Sequence, residues 1–194
     1  MLEGLHETLL KWYENHGRHA LPWRRTRDPY RIWISEIMLQ QTQVRTVLER
    51  FYFPFLERFP TLQSLAAAPL DDVLKQWEGL GYYTRAKNLH KAAQMCAPFL
   101  PETAEGLQSL PGVGKSTAHA VAAFAYGIPV PILDANVKRI LFRYHARRSA
   151  GEKELWELAE KLFDPHHPFE FNQAMMDIGA TLCLPKTAHF CYAI

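Results

Sequence analysis

The amino-acid sequence predicts an all-α protein. Apolar residues recur at three- and four-residue spacing in most segments between the prolines and glycines. Helix-start signatures, Asp28-Pro29 and Asp134-Ala135-Asn136, stand where two of those runs begin. No segment shows sustained alternation flanked by hairpin turns, and there is no repeat or low-complexity tract.

From the start, Leu5, Leu9, Leu10, Trp12 and Tyr13 share helical spacing until Gly17 stops the run. Leu21-Pro22-Trp23-Arg24 reads as an extended connector. Asp28 caps and Pro29 opens a helix that is apolar nearly all round, through Ile32, Trp33, Ile34, Ile37, Met38 and Leu39, and so is buried on most sides. The amides of Gln40-Gln41-Thr42-Gln43 interrupt it. A longer amphipathic run follows to Phe59, carrying Val44, Val47, Leu48, Phe51 and Phe55. Pro60, Pro69, Gly79 and Gly81 punctuate two short helices, and Tyr82-Tyr83 begins another with Leu89, Ala92, Ala93 and Cys96. A helical stretch at 104–110, the turn Leu110-Pro111-Gly112-Val113-Gly114 and a helix from Lys115 to Ala125 come next. Helices at 136–145, 153–163 and 168–182 complete the order.

The stretch 106–138 organises the rest. Two glycines around Val113 permit left-handed or closely approached backbone. The helix after them presents free N–H groups, and together these make a seat for an anion such as phosphate. Gly114-Lys115-Ser116-Thr117 looks like the end of a nucleotide-binding P-loop. That motif requires a glycine at position 109, which is Ser109, and a strand leading in, where this chain reads helical. A helix, hairpin turn and helix remain, suited to a sequence-independent grip on a nucleic-acid backbone. An ordinary tight turn between two core helices is the alternative.

A chain of 194 residues, 48% hydrophobic and 22% charged, has the make-up of a soluble globular protein with a core in one domain or two lobes. No apolar run is long enough to span a bilayer, and Met1-Leu2-Glu3-Gly4 opens no export signal, so a cytoplasmic location without membrane contact is expected. Three cysteines make no disulfide framework and suit a reducing compartment. The net charge of +2 is too small to require a polyanion partner. Its distribution says more, because Arg18, Arg24, Arg25, Arg27 and Arg31 cluster early while Lys138, Arg139, Arg143, Arg147 and Arg148 follow one another along a later helix.

Two carboxylates stand out. Glu36 has Ile32, Trp33 and Leu39 one turn away, and desolvation there raises a carboxyl's pKa toward that of a general acid. The pattern fits equally well with Glu36 as the polar member of a solvent-facing side. Asp134 precedes a helix, where aspartate is a routine N-cap; capping leaves one oxygen free and, through its N–H donors, is expected to keep the group ionised. One protonated and one ionised carboxyl is the pair used in hydrolysis of a glycosidic bond.

Leu21-Pro22-Trp23, residues 33–44 (WISEIMLQQTQV), 77–85 (WEGLGYYTR), 110–117, 132–139 (ILDANVKR) and 171–183 (FNQAMMDIGATLC) resemble, nearly end to end, the catalytic region of the bacterial adenine DNA glycosylase family within the helix-hairpin-helix DNA glycosylase superfamily. The resemblance implies a two-lobed helix-hairpin-helix fold with the active site in the cleft between lobes: 28–130 a central helical bundle with the hairpin, and 1–27 plus 131–194 a second helical lobe. It implies a monomeric, monofunctional enzyme of base excision repair. The substrate is adenine opposite guanine or 8-oxoguanine, flipped out of double-stranded DNA. Glu36 protonates the base, Asp134 stabilises the sugar cation, and Asn136 sits beside them. Trp23, Arg24 and Gln173 line the base pocket, with core packing as the alternative for Trp23. Gln40, Gln41 and Tyr82 wedge into the emptied stack, where a solvated loop and a core tyrosine are the alternatives. Gly112, Val113, Gly114, Lys115, Ser116, Lys138 and Arg139 hold DNA. Relatives that also cut the backbone carry a nucleophilic lysine where this chain has Ser116, and Lys115 lies roughly 100° around the helix from it.

The match departs at the end. The family ligates a 4Fe-4S cluster with four cysteines. Cys183 matches the first, Phe190 stands at the second beside Cys191, and the chain ends at Ile194. The ligand set is incomplete, so no cluster is expected, and the tail reads as a C-terminal truncation that also omits the domain the family uses for the opposite base. Ala135 replaces the usual glycine. An inactive DNA-binding remnant and a pyrimidine-damage glycosylase of the same fold are the other readings, the latter opposed by Ser116.

Overall fold

The structure is a computed structural model that describes residues 2–146 and 149–185. Among the described residues the regular elements are all helical, and no helix is long and apolar enough to cross a membrane. The chain forms two compact units, residues 20–126 and residues 1–19 with 127–194. The sequence reading set its boundaries at 27/28 and 130/131.

In the unit 20–126, α2 (Pro29–Leu39) starts where Asp28 accepts the N–H groups of Tyr30 at 2.9 Å and Arg31 at 3.3 Å. Its apolar girth buries Ile32, Trp33, Ile34, Ile37 and Met38, as a helix apolar on all sides demands. Around it run α3 (Val44–Thr46), α4 (Tyr52–Arg58), α5 (Leu62–Ala67), α6 (Leu70–Gln76), α7 (Tyr83–Cys96), α8 (Ala104–Gln108) and α9 (Lys115–Tyr126), with α9 packed on both α2 and α8. Trp33, Phe55, Leu65, Trp77, Leu89 and Leu107 lie in the interior.

Two local expectations are corrected. The connector at 21–24 is wound into a 3₁₀ turn, Pro22–Arg24, in which Arg25 N–H reaches Pro22 O at 3.2 Å. The run to Phe59 is one α-helix only at its ends, because Val47–Phe51 widens into a π turn. Pro54 cannot donate to the carbonyl four residues earlier, at Arg50, and the wide turn sits where that bond is missing.

The second unit is built from α1 (Leu2–His16), α10 (Ala135–Tyr144), α11 (Glu152–Leu162) and α12 (Pro168–Thr181), with α12 packed on α1 and α10. Leu9, Leu141, Trp156, Phe171, Met175 and Ile178 share its core. Arg18 closes the end of the α1 region on buried Asp177, its Nε 2.6 Å from Oδ1 and its backbone N–H 2.8 Å from Oδ2.

Candidate active site and nucleic-acid interface

Glu36 is carried by α2. From Ile32 to Met38 every residue except Glu36 is buried, so Glu36 is the one partly exposed member of that run on α2. Trp23 is buried with its ring edge-on to Tyr52, centroids 5.1 Å apart, and Arg24 beside it is partly buried.

The hairpin between α8 and α9 rests on Leu110 and Val113, both buried. The Val113 side chain therefore belongs to the core. Gly112 has φ +77°, and a Cβ there would stand 2.8 Å from Asn88 Cβ, so position 112 needs glycine for two reasons. Gly114 differs, with no atom within 4 Å of where its Cβ would be. Behind it Lys115, Ser116 and Thr117 open α9 and are partly buried. Gln40 reaches across to this hairpin, its Nε2 3.4 Å from Gly112 O and 3.3 Å from Thr117 Oγ1.

Gln41 and Tyr82 are both exposed, and both have left-handed backbone, φ +56° and +50°. Non-glycine residues rarely adopt that conformation, and where they do the surroundings hold them in it.

In the other unit Asp134 caps α10. Its Oδ1 accepts Val137 N–H at 2.8 Å and its Oδ2 accepts Asn136 Nδ2 at 3.0 Å, so the second oxygen that the sequence reading left free is occupied. Burial pushes the carboxyl up from its ordinary range, against the pull of those donors and of Arg139. The expectation of a simply ionised cap counted the donors but not the desolvation. Asn136 Oδ1 in turn accepts Arg139 Nη2 at 2.9 Å, and Arg139 Nε donates to Cys183 O at 2.6 Å. Opposite lies Gly179 on α12, where a Cβ would fall 2.4 Å from Asn136 Cβ. Gln173, also on α12, is buried.

The basic clusters read from the sequence are partly spent inside the protein. Arg18 is paired with Asp177, Arg27 donates to Phe124 O at 2.8 Å, and Lys138 Nζ stands 3.5 Å from Glu152 Oε1. Arg139 serves the network around Asp134, and Arg143 donates to Cys183 Sγ at 3.1 Å and Leu184 O at 2.8 Å. Arg147 and Arg148 lie outside the described residues. Charge spacing shows where cations stand along a helix, but not which carbonyls the fold folds back onto them.

A family model described as HhH-GPD superfamily base excision DNA repair protein matches residues 34–165. The chain belongs to this superfamily. Among its relatives, the adenine DNA glycosylase of Buchnera aphidicola subsp. Baizongia pistaciae is 45% identical over 186 residues, covering 92% of this chain and 53% of the relative. The human adenine DNA glycosylase is 44% identical over 197 residues, covering 92% and 36%. The chain thus spans about half the length of the first of these curated relatives and less of the second. Of solved structures, a thermostable thymine-DNA glycosylase superposes with TM-score 0.88 at 31% identity, over 97% of this chain and 90% of that one. An endonuclease III–DNA complex has TM-score 0.81 at 20% identity, over 96% and 89%, and shares the fold.

For this HhH-GPD protein the cluster expectation turns on donor chemistry. Cys183 is buried, with its sulfur facing Arg143. Positions 190 and 191 lie outside the described residues. Cys96 is half-buried on α7, in the unit 20–126. The described cysteines, Cys96 and Cys183, belong to different units, and no step of the chemistry is derived through a cluster. Among the described residues no group of three or more His, Cys, Asp or Glu is arranged to hold a metal ion.

Two positions escaped the sequence reading. Gly179 has no local signature, since its neighbour Asn136 is on another helix. Arg85 did leave one: it falls on the stripe of α7 that carries Leu89, Ala92 and Ala93, a charged residue at a core position.

Proposed function

We propose that this chain is the catalytic part of a monofunctional DNA glycosylase that removes adenine mispaired with guanine or 8-oxoguanine. The observation that carries the reading is Asp134, an acidic cap held between Val137 N–H and Asn136, in a chain 45% identical to a relative named adenine DNA glycosylase. A carboxylate fixed in this way suits an oxocarbenium-like sugar.

Adenine is a poor leaving group until its N7, an acceptor on the base edge, takes a proton. Glu36 supplies that proton. The bond from C1′ to N9 then breaks with its electron pair going to the base, the sugar cation develops, and Asp134 offsets its charge. Water adds to C1′ and loses a proton, completing hydrolysis. Ser116 has no amine to form a Schiff base, so the sugar–phosphate backbone is left uncut.

The hairpin supports the DNA grip. The open space around Gly114 and the start of α9 let a phosphate approach backbone N–H groups. Gln41 and Tyr82 occupy the emptied stack of a flipped base. Arg139 supports Asp134 through Asn136. With three cysteines the chain binds no 4Fe-4S cluster; iron analysis of the purified protein checks this, and four irons per chain would overturn it.

Excision from duplexes holding adenine opposite guanine or 8-oxoguanine tests the reading. Glu36→Gln should abolish base release, by about a thousandfold or more, while duplex affinity stays within about threefold, because a transition-state proton is lost and no phosphate contact is. Turnover in that variant would dismiss Glu36 as the acid. The likeness to a thymine-DNA glycosylase supports a second reading, removal of a pyrimidine. Release of thymine opposite guanine, with adenine untouched, would favour it.

A further inference from the structure

Arg85 is buried on α7 and its two terminal nitrogens face six acceptors. Nη1 donates to Ile37 O at 3.1 Å, Met38 O at 2.9 Å and Gln40 O, carbonyls at and just past the end of α2, of which Ile37 O also accepts the C-cap N–H of Gln40 at 3.4 Å. Nη2 donates to Thr42 Oγ1 at 3.2 Å, Leu80 O at 3.3 Å and Gly81 O at 3.2 Å. The guanidinium also lies 5.5 Å from the Trp77 ring and 5.3 Å from the Tyr82 ring. One side chain therefore fastens the segment 37–42 to the turn 80–82.

Two of the gripped carbonyls have a particular place. A carbonyl and the N–H of the next residue share one rigid peptide plane, so holding Gln40 O fixes the plane leading into Gln41, and holding Gly81 O fixes the plane leading into Tyr82. Gln41 and Tyr82 are the non-glycine residues of positive φ among the described residues of this unit. The grip falls where the backbone would otherwise relax.

We propose that Arg85 is a positioning residue that holds the 40–42 loop and the 80–82 turn in the left-handed conformations displaying Gln41 and Tyr82 to DNA. The inference rests on the reading of those two side chains as the wedge. A lysine cannot replace it, since three donors on one point do not span six acceptors as the planar fork does.

A double-mutant cycle tests this by anisotropy of a labelled duplex with adenine opposite 8-oxoguanine, the adenosine bearing a 2′-fluorine that blocks release. Arg85→Lys should weaken binding about tenfold in the parent chain and less than about twofold in a Tyr82→Ala background, because neighbours that act as a unit are not additive. Equal losses in both backgrounds, or no loss in the parent, would overturn the proposal while leaving the wedge reading intact. A Tyr82→Ala change without effect on binding would overturn the wedge reading and this inference with it. Should Arg85→Lys fail to fold, Thr42→Val removes one acceptor at constant shape. It should cost about threefold, a loss that disappears in a Gln41→Ala background; an unchanged affinity, or an additive loss, would again overturn the proposal.

Discussion

Gly114 in the hairpin and Gly179 on α12 are both glycines beside a helix, yet their surroundings are opposite. Nothing stands within 4 Å of the position a Cβ would take at Gly114, whereas at Gly179 that position is 2.4 Å from Asn136 Cβ. The missing side chain at 179 is used by the protein's own helix α10, which presses Asn136 and through it Asp134 into place. At 114 the space serves no neighbour in the described structure of its unit, and the hairpin is left approachable from outside.

The largest effect should come from closing the crowded position. Gly179→Ala forces α10 and α12 apart and displaces Asn136, costing about 1–3 kcal/mol of stability. Base release should fall by about a hundredfold, the scale expected when a reacting group is shifted by about 1 Å. Thermal unfolding and single-turnover excision check the two parts. Unchanged excision in a stably folded variant would show that Asn136 does not steady Asp134.

Filling the open position should act on binding alone. Gly114→Ala leaves stability within about 0.5 kcal/mol, since the methyl meets no atom. Duplex affinity should drop about tenfold, or about 1.4 kcal/mol, because backbone N–H groups can no longer be approached as closely. An affinity equal to the parent's would remove the hairpin from the interface.

The smallest effect concerns the cost of holding Asp134. Its folded-state pKa is raised, chiefly by burial. The native state therefore binds this proton more tightly than the unfolded chain. The stability this contributes is fully present below the ordinary carboxyl range and is lost as pH rises through the raised value. Asp134→Asn keeps a good cap and removes the ionisation. Its Tm should equal or exceed the parent's at neutral pH, and the difference should shrink in acid. A variant less stable than the parent at neutral pH, by more than about 1 kcal/mol, would show that the charge stabilises the fold.

What the chain alone determined were features decided within a turn or two: the helices and their order, the cap at Asp28, the glycine turn at 112–114 and the acidic cap at Asp134. Each follows from backbone sterics, side-chain period or a hydrogen bond to a neighbour three residues on. The pattern around Glu36 left open whether it was buried, and only packing showed it as the partly exposed member of a buried run. The fates of the arginines were decided by tertiary structure, because Arg18, Arg139 and Arg143 meet their partners 159, 44 and 40 residues away. Arg85 and Gly179 likewise owe their roles to groups on other segments, brought near by burial of the two cores. Periodicity shows which face of a helix turns inward; only the assembled fold shows what that face meets.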